Sequence, residues 1–368
     1  MAIKEIRIYS VALPAKQLYN MSNSTVDTPY STVVEIVDSS GHTGFGEACL
    51  ASPQYQPAHN DGIRMSLNIL APVIIDIDPL KLNTIHAAMN AALDGHPEGK
   101  AALDIACWDL CGKMLGRSVV DLLGGARQQK ILTYHVVGIG TPEYAATETE
   151  RLQSEGITRI QLKAGGRSIH EDISCIQAVC KVLKPGNDLA VDTNRGWTTA
   201  EAIQVSNSCS EHTFSMEQPC STEAELMHLK QQSHHPIVVD ENTTDIRAVA
   251  RMISNGLADG FGLKLTRLGG LTNMRAVRDL CMATRTPMSC DDAWGGDIIA
   301  AAGVALGATL APHFSRGAWI AHPYHQTHYD EANGPRITNG YVTLPEGGPG
   351  LGLLIKEGQF GEPLALYS

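Results

Sequence analysis

The sequence predicts an α/β fold: a (β/α)7–8 TIM-type barrel with an N-terminal α+β capping domain. Three observations carry this. From about residue 130 to about 320, short apolar runs alternate with helix-like segments. Most of those runs close on an ionisable residue, at nearly constant spacing. Before residue 125 the pattern is different, with strand-like segments first and helices after them.

The first unit spans 1–125. Residues 3–12 read as a strand, with Ile3, Ile6, Ile8 and Val11 spaced along it, and 31–38 (STVVEIVD) is β-branched. Between them, about 19–29, lies a Ser/Thr/Asn-rich segment expected to be a flexible lid loop. After GHTGFGEA a second lid loop is expected at about 52–60. Helical patterns follow at 60–71, 79–93 and 98–116, the last closing on Gly116.

The second unit spans 126–330. Its apolar runs are ILTYHVVGI, RIQLK, LAVDTN, FSMEQP, IVVDE, GFGLKL, PMSCDD and GAWIA. Helical segments such as 171–183, 200–208, 245–255 and 271–283 separate them. Strands alternating with helices imply βαβ crossovers and a parallel sheet. Eight such units close into a barrel. An open doubly wound sheet fits less well, because no Gly-rich phosphate loop follows the first strand. Residues 331–368 read as strands and turns that return to the first unit.

Composition narrows the partners. Lys+Arg total 28 against 39 Asp+Glu, a net charge of −11 with no basic stripe, which argues against nucleic acid and anionic membranes. The N-terminus lacks the apolar run of a signal peptide, and no stretch has the length of a membrane span. Nine scattered cysteines without a CxxC pair read as free thiols in a reducing cytoplasm. A homo-oligomer acting on a small-molecule carboxylate is the expectation.

The ionisable residues that end successive runs are Lys163, Asp192, Glu217, Asp240, Lys264 and Asp291. Their intervals are 29, 25, 23, 24 and 27 residues, about one barrel unit each. Each therefore stands at the C-terminal end of a strand, the face on which barrel enzymes keep their active sites. Asp192, Glu217 and Asp240 fall on three adjacent strands, about 4.8 Å apart. Three clustered carboxylates repel unless a hard dication neutralises them, and oxygen-only donors select Mg²⁺ or Mn²⁺ over zinc. Lys163 and Lys264, on strands two and six, face each other across the ring. A metal charge and burial are expected to lower their pKa values so that one acts as a base.

The segments QLKAGG, AVDTNRGWT, MEQPC, VVDEN, GLKLTRLGGL and SCDDAWGGDIIAAA together resemble the enolase superfamily, of the muconate-lactonising enzyme and mandelate racemase type. The resemblance spans nearly the whole chain. It implies an α+β cap over a barrel mouth, Mg²⁺ on Asp192, Glu217 and Asp240, and Lys163 with Lys264 as the acid/base pair. It also implies removal of an α-proton beside a carboxylate through an enediolate. Members often carry Lys-x-Lys on strand two; here the first position is Gln161. PQYQPAH, GAWIAHPY and CDDAWGGD are similar to the group acting on proline derivatives. That group comprises cis-3-hydroxy-L-proline dehydratases and the 2-epimerases of proline and 4-hydroxyproline betaines. GIG at 138–140, GLKLTRLGG and DIIAAA lean toward the dehydratases. Dipeptide epimerases and cycloisomerases share the same barrel. Tyr55 on the cap loop and Trp319 after strand eight are placed to sandwich a cationic nitrogen. Gln161, Asp291, Asp292 and Trp294 are further candidate substrate contacts. Asn194 is expected to orient the metal shell. His322, His325 and His328 in HPYHQTH read as rim or cap contacts rather than ligands, because the carboxylates already account for the metal.

Overall fold

The computed structural model describes residues 1–20 and 24–368. The cap is built on an antiparallel sheet. Ile3–Ala12 pairs with Tyr30–Asp38, which pairs with Thr43–Ala48. The sequence pattern does not announce the last of these, Thr43–Ala48. Its sequence, TGFGEA, carries two glycines that ordinarily weaken a strand. The glycines have a reason. A Cβ on Gly46 would stand 1.9 Å from the Ala102 carbonyl oxygen, and one on Gly44 would stand 2.3 Å from that of Ala106. Both carbonyls belong to the helix Pro97–Leu115, which lies directly on this strand. The chain end returns to the same sheet, where Ala365–Tyr367 pairs with Ile3–Ala12.

The helix Pro97–Leu115 is buried along most of its length because it has two neighbours. One face meets the cap sheet; another meets the barrel, where Trp108 Nε1 donates to Thr272 Oγ1 at 2.9 Å. Among the described residues, no helix is long and apolar enough to cross a membrane.

The barrel sheet has seven parallel strands in sequential order: His135–Val137, Arg159–Lys163, Asp188–Asp192, Ser215–Glu217, Ile237–Val239, Gly260–Lys264 and Met288–Asp291. Successive side chains alternate sides: Gln161, Lys163, Asp192, Glu217 and Lys264 point inward, while the buried Ile160, Leu162, Val191, Met216, Phe261 and Leu263 between them point outward. Three successive barrel helices begin with the same device. Ser168 and Glu171, Thr198 and Glu201, and Thr222 and Glu225 form capping boxes, which satisfy backbone N–H groups that each helix start leaves open.

Two apolar runs fold differently from expectation. ILTYHVVGI is not one strand. Its first two residues belong to the strand Lys130–Leu132, which joins a small antiparallel sheet with Tyr341–Thr343 and Ile337–Thr338. Only His135–Val137 enters the barrel. GAWIA is not a regular strand either. The segment lies beside strand seven, with Cys290 N donating to Gly317 O and Asp292 N to Trp319 O. Ala318 N donates to Leu132 O on its other side. An irregular stretch thus fills the eighth place of the ring.

The expected lid at 19–29 contains a short hairpin, Tyr19–Asn20 with Thr25–Val26; residues 21–23 lie outside the described residues. The 52–59 loop is composed of turns and leads into the helix Asn60–Leu70.

Candidate active site

Strand register places the charged side chains together. Lys163 pairs across from Asp192, Asp192 from Glu217, and Lys264 from Asp291. Asp240 follows Ile237–Val239 by one residue. Lys163, Asp192, Glu217, Asp240 and Lys264 line one pocket at the strand C-termini. Gly262 at its floor leaves room for the acids: a Cβ there would come within 3.2 Å of Glu217 Oε1.

The three carboxylates differ in their partners. Lys163 Nζ donates to Asp192 Oδ2 at 2.5 Å and to Asn194 Oδ1 at 3.0 Å. Arg267 donates to Asp240 Oδ1 at 2.5 Å, and Tyr55 OH donates to Asp240 Oδ2 at 2.8 Å. Glu217 receives the Gln161 amide at 3.0 Å, and no ion pair to it is found among the described residues. Burial, followed by the charges of Asp192 and Asp240, pushes Glu217 up to about 7. Burial works against ionisation of Asp240 too, but Arg267 and Lys264 outweigh it and hold that carboxyl below its usual range. The neighbouring Glu241 is pushed up to about 8, first by burial and then by Asp240 and Asp192.

This donor set fits a hard dication. It is all oxygen, it is 2% exposed at each acid, and one member lacks a protein counter-charge. Gln161 fills the place where a second cation on strand two would stand, and its amide instead bonds a carboxylate of the set.

Lys264 lies 3.4 Å from Asp240 Oδ2 and 3.2 Å from Asp291 Oδ2. The expected lowering of its pKa is not met in the field of the protein's own groups. Burial lowers it, but Asp240, Tyr55 and Asp291 together raise it well above the ordinary lysine value. Asp291 also needs correcting as a candidate substrate contact. It is fully buried behind Lys264 and receives Tyr134 OH at 3.2 Å, Ser289 Oγ at 2.7 Å and Trp319 N at 2.8 Å. It positions the lysine rather than facing the pocket. Asn194 likewise stands behind the pocket wall. Its backbone N donates to Asp192 Oδ1 and its amide to Glu241 Oε1.

The remaining candidates, Tyr55, Gln161, Asp292, Trp294 and Trp319, line the same pocket and are buried. Asp292 Oδ2 accepts from Ala321 N at 3.3 Å, while its Oδ1 and the indole Nε1 atoms of Trp294 and Trp319 have no partner among the described residues. Burial pushes Asp292 well above the usual carboxylate range. Four residues escaped the sequence reading. Tyr19 packs edge-on against Trp294 at 5.2 Å and against Tyr324 at 5.1 Å. Tyr134 lines the pocket and holds Asp291, and Arg267 holds Asp240. Arg267 had a legible signal, since it lies three residues after Lys264, in the short helix Leu265–Leu268 that follows the strand. The tyrosines had none, because each stands in a segment that reads as lid, rim or strand interior.

Comparison with known proteins gives the family. Residues 3–124 match the mandelate racemase/muconate lactonizing enzyme N-terminal domain, and residues 143–359 match the family described as enolase C-terminal domain-like. The chain is 38% identical to cis-3-hydroxy-L-proline dehydratase of Roseibium aggregatum over 371 residues, covering 100% of both. It is 28% identical to N-succinyl-L-Arg/Lys racemase of Bacillus cereus, over 74% of each chain. A solved member of the enolase superfamily from Roseovarius nubinhibens ISM, complexed with magnesium, superposes with a TM-score of 0.94 at 30% identity over 99% of each chain. The chain is an enzyme of the enolase superfamily and belongs to its mandelate racemase/muconate lactonizing enzyme group.

Proposed function

We propose that this enzyme dehydrates cis-3-hydroxy-L-proline to Δ1-pyrroline-2-carboxylate, with Mg²⁺ held by Asp192, Glu217 and Asp240. The observation that carries the reading is the pair of buried lysines on opposite walls of one pocket, with the three carboxylates between them. When bound, the dication neutralises the three acids and stabilises the negative charge that builds on the substrate carboxylate as its α-proton leaves.

The chain's own residues supply the rest. In cis-3-hydroxy-L-proline the hydroxyl shares a ring face with the carboxylate, so it lies opposite the α-hydrogen. Elimination then needs a base on one face and an acid on the other. Lys163 and Lys264 stand on those two sides. One takes the α-proton; the other gives a proton to the departing hydroxyl, which leaves as water. The resulting enamine tautomerises to the cyclic imine. Asn194 and Asp192 hold the Lys163 amine, and Asp291 holds that of Lys264. Asp292 Oδ1, buried in the pocket without a partner among the described residues, pairs with the substrate's ring ammonium. Trp294 and Trp319 cover that end and exclude water, and Tyr55 closes the cap side. The full-length identity to a dehydratase of this substrate supports the assignment.

The test is substrate profiling of the purified enzyme with Mg²⁺ on cis-3-hydroxy-L-proline, proline betaine, 4-hydroxyproline betaine and a dipeptide. Formation of the pyrroline from the first is expected. Turnover of a betaine by epimerisation, with the hydroxyproline left unchanged, would replace this reading by the 2-epimerase one.

A further inference from the structure

We propose that Asp297, His322 and His328 form a second metal site, for a borderline dication such as Zn²⁺, separate from the carboxylate trio. One ligand atom from each of the three lies within 4.8 Å of the other two. None of the three lines the catalytic pocket.

The donors are of a different kind from those of the first site. Two imidazoles and one carboxylate suit zinc and its first-row neighbours rather than magnesium. Asp297 opens the helix Asp297–Ala308 and is fully buried. Its Oδ2 is taken by the backbone N–H groups of Tyr329 and Asp330, at 2.7 and 2.9 Å. Its Oδ1 is left 3.8 Å from His328 Nδ1, too far for a hydrogen bond, and 3.4 Å from Arg336. The His322 and His328 rings lie 3.9 Å apart.

Three buried ring nitrogens have no partner among the described residues: His322 Nε2, His328 Nδ1 and His325 Nδ1. Buried polar atoms are nearly always satisfied, so three orphans side by side call for a ligand. Burial keeps these rings neutral, with His322 lowered to about 2, so their lone pairs are available. His325 Nε2 lies 2.8 Å from the Gly295 carbonyl oxygen, and its ring stands further off, 5.4 Å from that of His328 and 6.3 Å from that of His322.

In a tetrahedral zinc shell, bonds of about 2.0–2.1 Å put neighbouring ligand atoms about 3.3 Å apart. Side-chain rotation of the two stacked rings closes the gap. The Arg336 guanidinium must then leave Asp297 Oδ1, which weakens the site relative to one without a competing cation. The 322–328 segment also bonds the cap: Lys16 N donates to Tyr324 O and Gln326 N to Pro14 O. A bound ion would therefore tie the cap-bearing loop to the helix after strand seven.

The experiment uses the full chain, freed of metal and then supplied with excess Mg²⁺. Zn²⁺ is added, unbound metal is removed, and zinc per chain and Tm are measured. One zinc per chain with a raised Tm is expected for the wild type and for Glu217→Gln. Both effects should fall at least tenfold in apparent affinity in His322→Gln and His328→Gln. Should those variants fold poorly, diethyl pyrocarbonate labelling of the unaltered chain decides. Zinc should protect His322 and His328 while leaving the exposed His96 reactive. Absence of retained zinc, retention unaffected by both histidine variants, or unprotected His322 and His328 would each overturn the proposal.

Discussion

Replacing Glu217 by Gln should stabilise the metal-free protein at alkaline pH and remove its response to Mg²⁺. Glu217 is fully buried, faces two other acids, and is pushed from 4.5 to about 7. A shift of that size makes ionisation in the folded state unfavourable by on the order of 3 kcal/mol. Because the folded pKa is raised, the folded protein binds more protons than the unfolded chain between pH 4.5 and about 7. Stability therefore falls as pH rises through that window and stays low above it. The amide introduced by Glu217→Gln still accepts from Gln161, and it has no proton to lose. In EDTA at pH 8 the variant should exceed the wild type by up to about 3 kcal/mol, and near pH 4.5 the two should coincide. Glu241 adds a slope of the same sign to both proteins, so it cancels in the difference. Saturating Mg²⁺ reverses the order. At a thousand times its Kd a ligand adds about 4 kcal/mol to the wild type, and the variant should gain little of it. Urea unfolding at both pH values, with EDTA and with Mg²⁺, measures all of these terms. A variant no more stable than the wild type at pH 8 in EDTA, or equal Mg²⁺ stabilisation of both, refutes the reasoning.

Other consequences are equally direct. Asp291→Asn removes a charged acceptor from Lys264, Tyr134 and Ser289; a loss of about 1.5–3 kcal/mol at the lysine corresponds to roughly 10- to 100-fold in kcat/KM, measured by steady-state kinetics. Glu47 joins cap to barrel, accepting from Ser31 Oγ, Tyr329 OH and the backbone N–H groups of Gly296 and Ile299. Glu47→Ala strands four buried donors, so thermal unfolding should show a loss of about 3–5 kcal/mol. Gly46→Ala places a methyl group against the Ala102 carbonyl and should leave little folded protein in the soluble fraction, whereas Gly41→Ala, with nothing within 4 Å of the added atom, should lower stability only by its backbone strain.

The strand-end charges were legible because a barrel repeats. One ionisable residue per unit, at near-constant spacing, reports both the strand ends and the face they share. The same periodicity misled at the ring's seam. ILTYHVVGI and GAWIA are apolar like strands, yet the first is divided between two sheets and the second bonds its neighbours irregularly. Apolarity marks burial, and burial at the closure of a ring does not require a regular ladder. TGFGEA was hidden for the opposite reason. Its glycines answer to a helix 55 or more residues away in the chain, and no local pattern announces that contact. The substrate end of the site was the least legible. Tyr19 comes from the cap and Tyr134 from the link between two sheets, so their place in one pocket is a product of tertiary structure.

The central claim is that two opposed lysines carry the chemistry. Its most direct test is turnover of cis-3-hydroxy-L-proline in D2O with Mg²⁺ by the wild type, Lys163→Ala and Lys264→Ala, followed by NMR. The wild type should release Δ1-pyrroline-2-carboxylate carrying deuterium at C3, and each variant should lose about 10²- to 10⁴-fold in rate. The variant that keeps the base should still exchange the α-proton. Full-rate dehydration by either alanine variant would contradict the account.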